Sequence, residues 1–212
     1  MDIAPLLGII DELPGYRRLV EALQQKRGNP GAVVPDAAKP YFIAALHRSL
    51  RRPLMVVTAQ PEAAKQLYEQ LLAWHPSSQV KLLPEPDALP YEHIASDPAT
   101  GLERLRALFA LTGDSSPLIV TSALAVAWKT MPYQDFISSR HIIEVGTNID
   151  PLHLLRRWEA FGYRMEGTVE VPGTMSRRGG IVDIYPPDTD MPVRLEFFGD
   201  TVESLRFFDP AD

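Results

Sequence analysis

The chain has 212 residues, a formal net charge of −6, 20 prolines and no cysteine. This length allows one large or two small domains with a hydrophobic core. The lack of cysteine excludes a disulfide scaffold, a thiolate zinc site and a cysteine nucleophile, and the acidic balance argues against sequence-independent DNA binding. The uncharged run 115–128 is shorter than the roughly 20 apolar residues of a membrane helix, and no signal peptide is visible. We therefore expect a soluble, cytoplasmic protein with no membrane partner.

Helices and strands alternate in the first part of the chain. The first 25 or so residues predict one or two short helices, and the apolar run 32–34 after a Gly-Asn-Pro-Gly turn predicts an opening strand. The same periodicities then predict, in order, a helix over 39–50, a strand over 54–59, a helix from Pro61 to about Trp74, a strand over 80–83, a helix over about 101–111 and a strand over 118–121. The strand over 54–59 lacks polar alternation, so we expect burial of both its faces. This alternation predicts an open, parallel α/β sheet.

The pattern changes after about residue 136. The sequence predicts a strand over 141–145 and a helix over 151–161 with Leu152, Leu155, Trp158 and Phe161 on one side. Four strands follow, near 164–171, 180–184, 192–198 and 202–208, the last two joined by a tight Gly199-Asp200 hairpin. A helix followed by antiparallel strands is typical of an α+β domain. We therefore predict an α/β domain over 1–137 and a smaller α+β domain over 138–212.

Charge is distributed unevenly between these two predicted domains. Residues 138–212 contain 8 Arg and 13 acidic residues, and Lys129 is the last lysine of the chain. An arginine-only basic set suits a partner surface, because the planar guanidinium makes bidentate contacts. A bias toward arginine codons explains the same composition equally well.

The segment 34–40 occupies the place of a phosphate-binding loop. Such a loop needs glycines, a lysine for the β/γ-phosphates and a Ser/Thr for magnesium. The segment contains Lys39, but proline follows in place of the hydroxyl residue, no glycine lies within seven positions and Asp36 would repel a phosphate. We therefore expect no cofactor and no ATP binding.

Residues suited to catalysis or metal binding are scattered. Five histidines show neither HxH nor HExxH spacing: His47, His75, His93, His141 and His153. Glu92-His93 with Asp97 could bind an ion, but this cluster lies in a loop where charged residues are expected anyway. Asp183 and Glu196 lie on neighbouring predicted strands, where alternation turns such residues toward solvent or an arginine partner. We therefore predict no catalytic and no metal-binding residues.

One strand of the second domain carries an unusual outer face. In Arg194-Leu-Glu-Phe-Phe198, alternation places Arg194, Glu196 and Phe198 on one face and the apolar pair Leu195 and Phe197 on the other. The apolar pair predicts the core side, which leaves Phe198 beside an arginine outside. An exposed aromatic flanked by arginines is typical of a protein–protein hot spot, although an aromatic that covers a neighbouring strand would look the same.

A long motif in the second domain carries a family resemblance. It runs Pro172-Gly-Thr-Met-Ser-Arg-Arg-Gly-Gly-Ile-Val-Asp-Ile-Tyr-Pro186 and continues Val193-Arg-Leu-Glu-Phe-Phe-Gly-Asp-Thr-Val-Glu-Ser-Leu-Arg-Phe-Phe-Asp209. This motif resembles the UvrB-homology module of bacterial nucleotide excision repair, which UvrB and the transcription-repair coupling factor share. The resemblance covers nearly the whole chain from about Lys39.

Three features resemble the coupling factor more than UvrB. UvrB has an intact phosphate-binding loop, whereas this chain has only the remnant around Lys39. The loop 85–91 and the helix around 102–106 are similar to a W-E-x-L-P-Y … R-L segment of the coupling factor, with Pro86 where tryptophan is commoner. UvrB's tyrosine-rich insertion for gripping damaged DNA has no counterpart here.

The resemblance implies a degenerate helicase-like (RecA-like) α/β domain and an α+β domain that docks the repair protein UvrA. The family's partner-contacting positions match Arg178, Arg194 and Phe198, with Arg177 as an alternative to Arg178. In the full-length family a C-terminal domain masks this surface until RNA polymerase stalls. Polymerase binding, DNA contact and ATP-driven translocation are expected beyond residue 212, so we expect an excised, non-catalytic adaptor. The alternatives are a fragment of a UvrB-type ATP-dependent helicase that binds damaged DNA, and direct DNA binding.

Overall fold

A computed structural model describes residues 3–76, 79–86, 97–113 and 115–210. The chain divides into two compact units, residues 1–129 and 130–212. The predicted boundary after residue 137 falls within a short helix of the second unit, Tyr133–Ser138. Within the described ranges, no helix is long and apolar enough to cross a membrane.

The first unit begins with helices and continues into a parallel sheet. A 3-10 helix over Ala4–Glu12 precedes the first α-helix, as the prolines predict. The elements are α1 Pro14–Gln24, α2 Lys39–Leu50, β1 Leu54–Thr58, α3 Pro61–Leu71, β2 Val80–Leu83, α4 Pro98–Ala110, β3 Leu118–Ser122 and α5 Ala123–Ala127. The three strands are parallel in the order β1-β3-β2. This confirms the predicted α/β sheet.

The central strand β3 holds the core of this unit together. All five of its residues are buried. On one face Leu118 and Val120 join the core formed with α2 and α3. On the other, Ile119 packs with Leu83 and with Ala107 of α4. The strand that is buried on both faces is therefore β3.

Two predictions for the first unit are wrong. Strand β1 was expected to be buried on both faces, but Met55 and Val57 are 42% and 50% exposed. β1 lies at the edge of the sheet, and α4 packs on β2 and β3 instead. The run 32–34 forms no strand, and Val33 is fully exposed. A short apolar run does not reveal which neighbours will cover it, because those neighbours are distant in sequence.

The second unit combines helices with a five-stranded sheet. Its elements are α6 Tyr133–Ser138, α7 Pro151–Ala160, β4 Arg164–Met165, β5 Thr174–Arg178, β6 Ile181–Ile184, β7 Val193–Phe198 and β8 Thr201–Phe207. The strands follow one another in chain order across the sheet. β4 pairs with β5 in parallel and the other pairs are antiparallel. This confirms the predicted α+β character of the second part of the chain.

The strand predictions in this unit are partly wrong. The predicted strand over 141–145 is absent; instead the segment 146–149 runs beside β8, where the Gly146 amide donates to the Val202 carbonyl at 2.7 Å. The predicted strand over 164–171 is only the two-residue β4, and β5 was missed. Polar residues dominate Thr174–Arg178 and hide its alternation, so its pairing with β6 is visible only in the structure.

The buried side of α7 differs from the predicted side. Leu155 and Trp158 are buried as expected, but Leu154 replaces Leu152, which is 48% exposed. Phe161 lies just beyond the helix and is 46% exposed. The Asp150 carboxylate accepts the Leu152 amide at 2.9 Å and so fixes the first turn. The buried stripe follows i, i+3, i+4, i+7 spacing from Pro151.

Candidate partner-binding surface

The five-stranded sheet has a core face and a second face that carries the charged residues. Directly opposed residues on antiparallel strands point to the same side. Register pairs Arg178 with Ile181 and Ile181 with Glu196, and it pairs Asp183 with Arg194. We call the face with the following side chains the outer face: Arg178, Asp183, Arg194, Glu196 and Phe198. The core face packs on α7 and includes Met175, Val182 and Leu195.

The same register separates the two neighbouring arginines of β5. Arg177 is opposite Val182, which is buried in the core, so Arg177 starts on the core side at the end of the strand. Its Nε donates to the Gly179 carbonyl at 3.0 Å. Arg178 is opposite Ile181 and shares the outer face with Arg194. This geometry favours Arg178 over Arg177 as a member of the surface.

Arg194 is held at two points on the outer face. Its Nε and Nη2 donate to Oδ1 and Oδ2 of Asp183 at 2.7 and 2.8 Å. The Phe208 ring lies against its guanidinium, 4.6 Å from centroid to Cζ. The Arg194 side chain remains 30% exposed, against 10% for Asp183. The hydrogen bond with Asp183 raises the pKa of Arg194 above its already high ordinary value.

The two carboxylates singled out from the sequence both have arginine partners. Asp183 pairs with Arg194 as described, and Glu196 Oε1 accepts from Arg206 Nη2 at 2.7 Å. Glu196 Oε2 also accepts from the Ser204 hydroxyl at 2.9 Å. The prediction that alternation turns them toward arginine or solvent is confirmed.

Arg178 lies beside a tight glycine turn. Its exposed guanidinium donates through Nη2 to the Gly167 carbonyl at 2.9 Å. Gly179 has a φ of +63°, which favours glycine, and a Cβ on Gly180 would lie 2.9 Å from the Phe197 carbonyl oxygen. The Phe197 amide donates to the Gly180 carbonyl at 2.8 Å. The glycines of the motif thus let β5 turn tightly into β6 beside β7, and Arg178 lies at the start of that turn.

Phe198 is the last residue of β7 and is 79% exposed. The hairpin at Gly199-Asp200 follows it, with Gly199 at a φ of +60°. Leu195 is buried and Phe197 packs against the core, so the predicted division of this strand into two faces is confirmed. The sequence signal that identified the outer face was alternation alone.

Lys39, the lysine of the segment compared with a phosphate-binding loop, forms an exposed ion pair. Lys39 is the first residue of α2, and its Nζ lies 2.6 Å from Asp36 Oδ1. The hydrogen bond from Lys39 lowers the pKa of Asp36. The lysine that would contact phosphate therefore already has an anionic partner.

The other candidates do not assemble a site among the described residues. Glu92 and His93 lie outside those residues, as does most of the loop 85–91, while the Asp97 carboxylate accepts the Ala99 amide and caps α4. The parts of the chain that the structure describes contain no group of three or more His, Cys, Asp or Glu residues able to hold a metal.

Two histidines of the first unit lie in contact, which the sequence does not predict. The rings of His47 and His75 lie 5.0 Å apart, edge to face. His47 is buried, and its Nε2 donates to the Ser116 carbonyl at 2.7 Å. Burial, followed by the neighbouring His47, lowers the pKa of His75. Nothing in the spacing of 47 and 75 signals this contact, since it depends on how α2 packs against α3.

The fold and the outer face define a two-unit α/β and α+β module whose second sheet presents an exposed aromatic residue beside arginines, the composition of a protein–protein interface. Residues 142–212 match the UvrB interaction domain. The chain is 37% identical over 97% of its length to a transcription-repair-coupling factor of Myxococcus xanthus and 31% identical over 85% to that of Bacillus subtilis. It is 25% identical over 95% to the UvrABC system protein B of Thermosipho africanus.

These matches confirm the resemblance drawn from the motif: residues 142–212 carry the UvrB interaction domain, and the chain is similar to transcription-repair coupling factors over most of its length. It spans only 17% of the Myxococcus protein and 15% of the Bacillus protein. It corresponds to 32% of the Thermosipho protein.

Proposed function

We propose that this chain is an adaptor of a transcription-repair coupling factor that recruits the nucleotide excision repair protein UvrA, and that the outer face is the docking surface. One observation carries the proposal: Phe198 is 79% exposed at the end of β7, and alternation along the strand puts it on the face that carries Arg194 and Arg178. Single exposed apolar residues are common on protein surfaces, but an exposed aromatic on the same face as arginines has the composition of an interaction hot spot.

The three residues would contribute different contacts. Phe198 would fill an apolar pocket on UvrA, and the two arginines would donate charge-assisted hydrogen bonds to acidic or carbonyl oxygens. The rest of this part of the chain is acidic, so acidic groups of a partner would be attracted at the arginines and repelled elsewhere. We further propose that the adaptor acts in the cytoplasm, and that in a full-length coupling factor a C-terminal domain covers the outer face until RNA polymerase stalls.

Titration of purified UvrA into the chain by calorimetry tests this proposal. Phe198→Ala should weaken binding by roughly 30-fold or more, as for other interface hot spots. Arg194→Ala should weaken it by a similar factor. Phe161→Ala is the matched control, because Phe161 is also exposed and lies next to an arginine, Arg157 at 5.7 Å, but follows α7 instead of β7. No binding by the unmodified chain would refute the proposal.

We also propose that the chain is non-catalytic and does not bind ATP. The ion pair between Lys39 and Asp36 and the lack of nearby glycines support this. Equilibrium dialysis with labelled ATP should detect no saturable binding, and Lys39→Ala should leave the result unchanged. Saturable binding that Lys39→Ala abolishes would favour the UvrB-type helicase instead.

A further inference from the structure

We propose that Asp183 is a positioning residue for partner docking: together with the Phe208 ring, it holds the Arg194 guanidinium in one orientation, so that only its Nη1/Nη2 end is offered to the partner. This inference rests on the proposed function of the outer face. It assigns a role to two residues that the resemblance does not include.

Asp183 and Phe208 contact the Arg194 guanidinium at two places, and we call this pair of residues the clamp. The two hydrogen bonds of 2.7 and 2.8 Å occupy Nε and one N–H of Nη2, which form one edge of the planar group. The Arg194 Cζ also lies over the Phe208 ring, 4.6 Å from its centroid. An arginine held by two hydrogen bonds along one edge and by an aromatic ring has lost most of its rotational freedom before any partner arrives.

The clamp also sets which chemistry remains for the partner. A guanidinium has five N–H donors. Asp183 uses two, which leaves the second N–H of Nη2 and both of Nη1. A carboxylate, or two carbonyl oxygens, can still bind end-on across Nη1 and Nη2. The partner group is therefore a planar, acidic or carbonyl acceptor that approaches along the exposed part of the side chain.

The burial of Asp183 explains why its hydrogen bonds to Arg194 persist in water. The Asp183 side chain is only 10% exposed, so solvent competes weakly for its oxygens. An exposed pair would contribute little, because water and salt weaken it. Since the charges of Asp183 and Arg194 cancel at a distance, Arg194 contributes orientation more than long-range attraction. Preorganisation of this kind lowers the entropic cost of binding.

A double-mutant cycle with UvrA tests the positioning role. Asp183→Asn should weaken UvrA binding by roughly three- to tenfold, because Arg194 then samples several orientations. In the Arg194→Ala background the same change should have no further effect. Arg194→Lys should bind about as weakly as Arg194→Ala, since an ammonium keeps the charge but cannot be held by the fork.

Two further variants test whether a loss of UvrA binding comes from the clamp and not from a general effect of losing an Asp–Arg pair. Phe208→Leu removes the stacking ring without touching Asp183, and it should weaken binding only while Arg194 is present. Asp11→Asn is the matched control: Asp11 also pairs with an arginine, Arg48 at 2.6 Å, but belongs to the first unit, so UvrA binding should not change. Unfolding midpoints show whether each variant is folded.

A second readout separates this inference from the proposed function. In the free chain, the Nε–H NMR signal of Arg194 should show a high heteronuclear NOE that falls in Asp183→Asn. If the unmodified chain does not bind UvrA, the docking role fails, while the NOE still decides whether Asp183 orders Arg194. Binding of Asp183→Asn that equals or exceeds that of the unmodified chain, or an equal loss in the Arg194→Ala background, would overturn the positioning role.

Discussion

Arg178 and Arg194 share the outer face, but their electrostatic surroundings differ. Arg194 pairs with Asp183, and Arg206 pairs with Glu196. Within the described ranges, Arg178 donates to a neutral acceptor, the carbonyl of Gly167. Of these three arginines, Arg178 is therefore the one whose positive charge is least compensated by a nearby carboxylate. We expect it to supply the long-range attraction to an acidic partner, and Arg194 to supply geometry.

Salt titration of UvrA binding checks this division at the residue scale. Between about 50 and about 300 mM salt, screening should weaken binding by the unmodified chain several-fold. Arg178→Ala should flatten this dependence, whereas Arg194→Ala should lower the affinity by a similar factor at every salt concentration. Equal salt slopes for both variants would contradict the division.

At the scale of elements, helix α7 buries a different side from the one that its sequence predicts. Leu154 is completely buried in the core of the second unit, and Leu152, two residues earlier, is 48% exposed. The prediction placed Leu152 inside because it lies three residues before Leu155. In the structure the buried stripe runs from Pro151 through Leu154, which packs in the core with residues of the sheet.

A pair of leucine truncations checks this register. Leu154→Ala should lower the free energy of unfolding by about 2 to 5 kcal/mol, as expected for a buried leucine that leaves a cavity. Leu152→Ala should change it by less than about 1 kcal/mol, because surface substitutions have small effects. Urea unfolding followed by the fluorescence of Trp158, which is buried in the same core, measures both. A larger loss for Leu152→Ala than for Leu154→Ala would show that the helix packs with the predicted side inward.

At the scale of the whole molecule, each unit has its own core and its own poorly solvated histidine. One core is built from residues up to 120 and the other from residues after 142. Burial lowers the pKa of His75 in the first unit. Burial, followed by the nearby Arg157, lowers the pKa of His141 in the second. A drop in pH should therefore affect both units.

The direction of the pH effect on folding stability follows from proton binding. Because the folded state lowers both pKa values, the unfolded state takes up protons first as the pH falls below about 6.5. Stability is thus full above that pH and decreases below it. Calorimetry at about pH 7.5 and about pH 5.5 should show lower melting temperatures at the acidic pH, because histidine titrates in this range. His75→Gln and His141→Gln should each reduce the shift; an unchanged shift in both would contradict this origin.

The sequence by itself determined most elements whose signal is local. The helix over 39–50 and the strand over 80–83 lie where they were predicted, because a 3.6-residue period and a short apolar run are properties of neighbouring residues. Alternation in Arg194–Phe198 was sufficient to separate the core face from the outer face. The family resemblance followed from a long motif in two nearby stretches of the chain, 172–186 and 193–209.

Only the tertiary structure decided features that depend on distant partners. The exposure of Met55 and Val57 follows from the edge position of β1, and the clamp on Arg194 follows from the register that brings Asp183 opposite it. The same register distinguishes Arg178 from Arg177. Strand order and register are contacts between residues far apart in the chain, and no local periodicity encodes them.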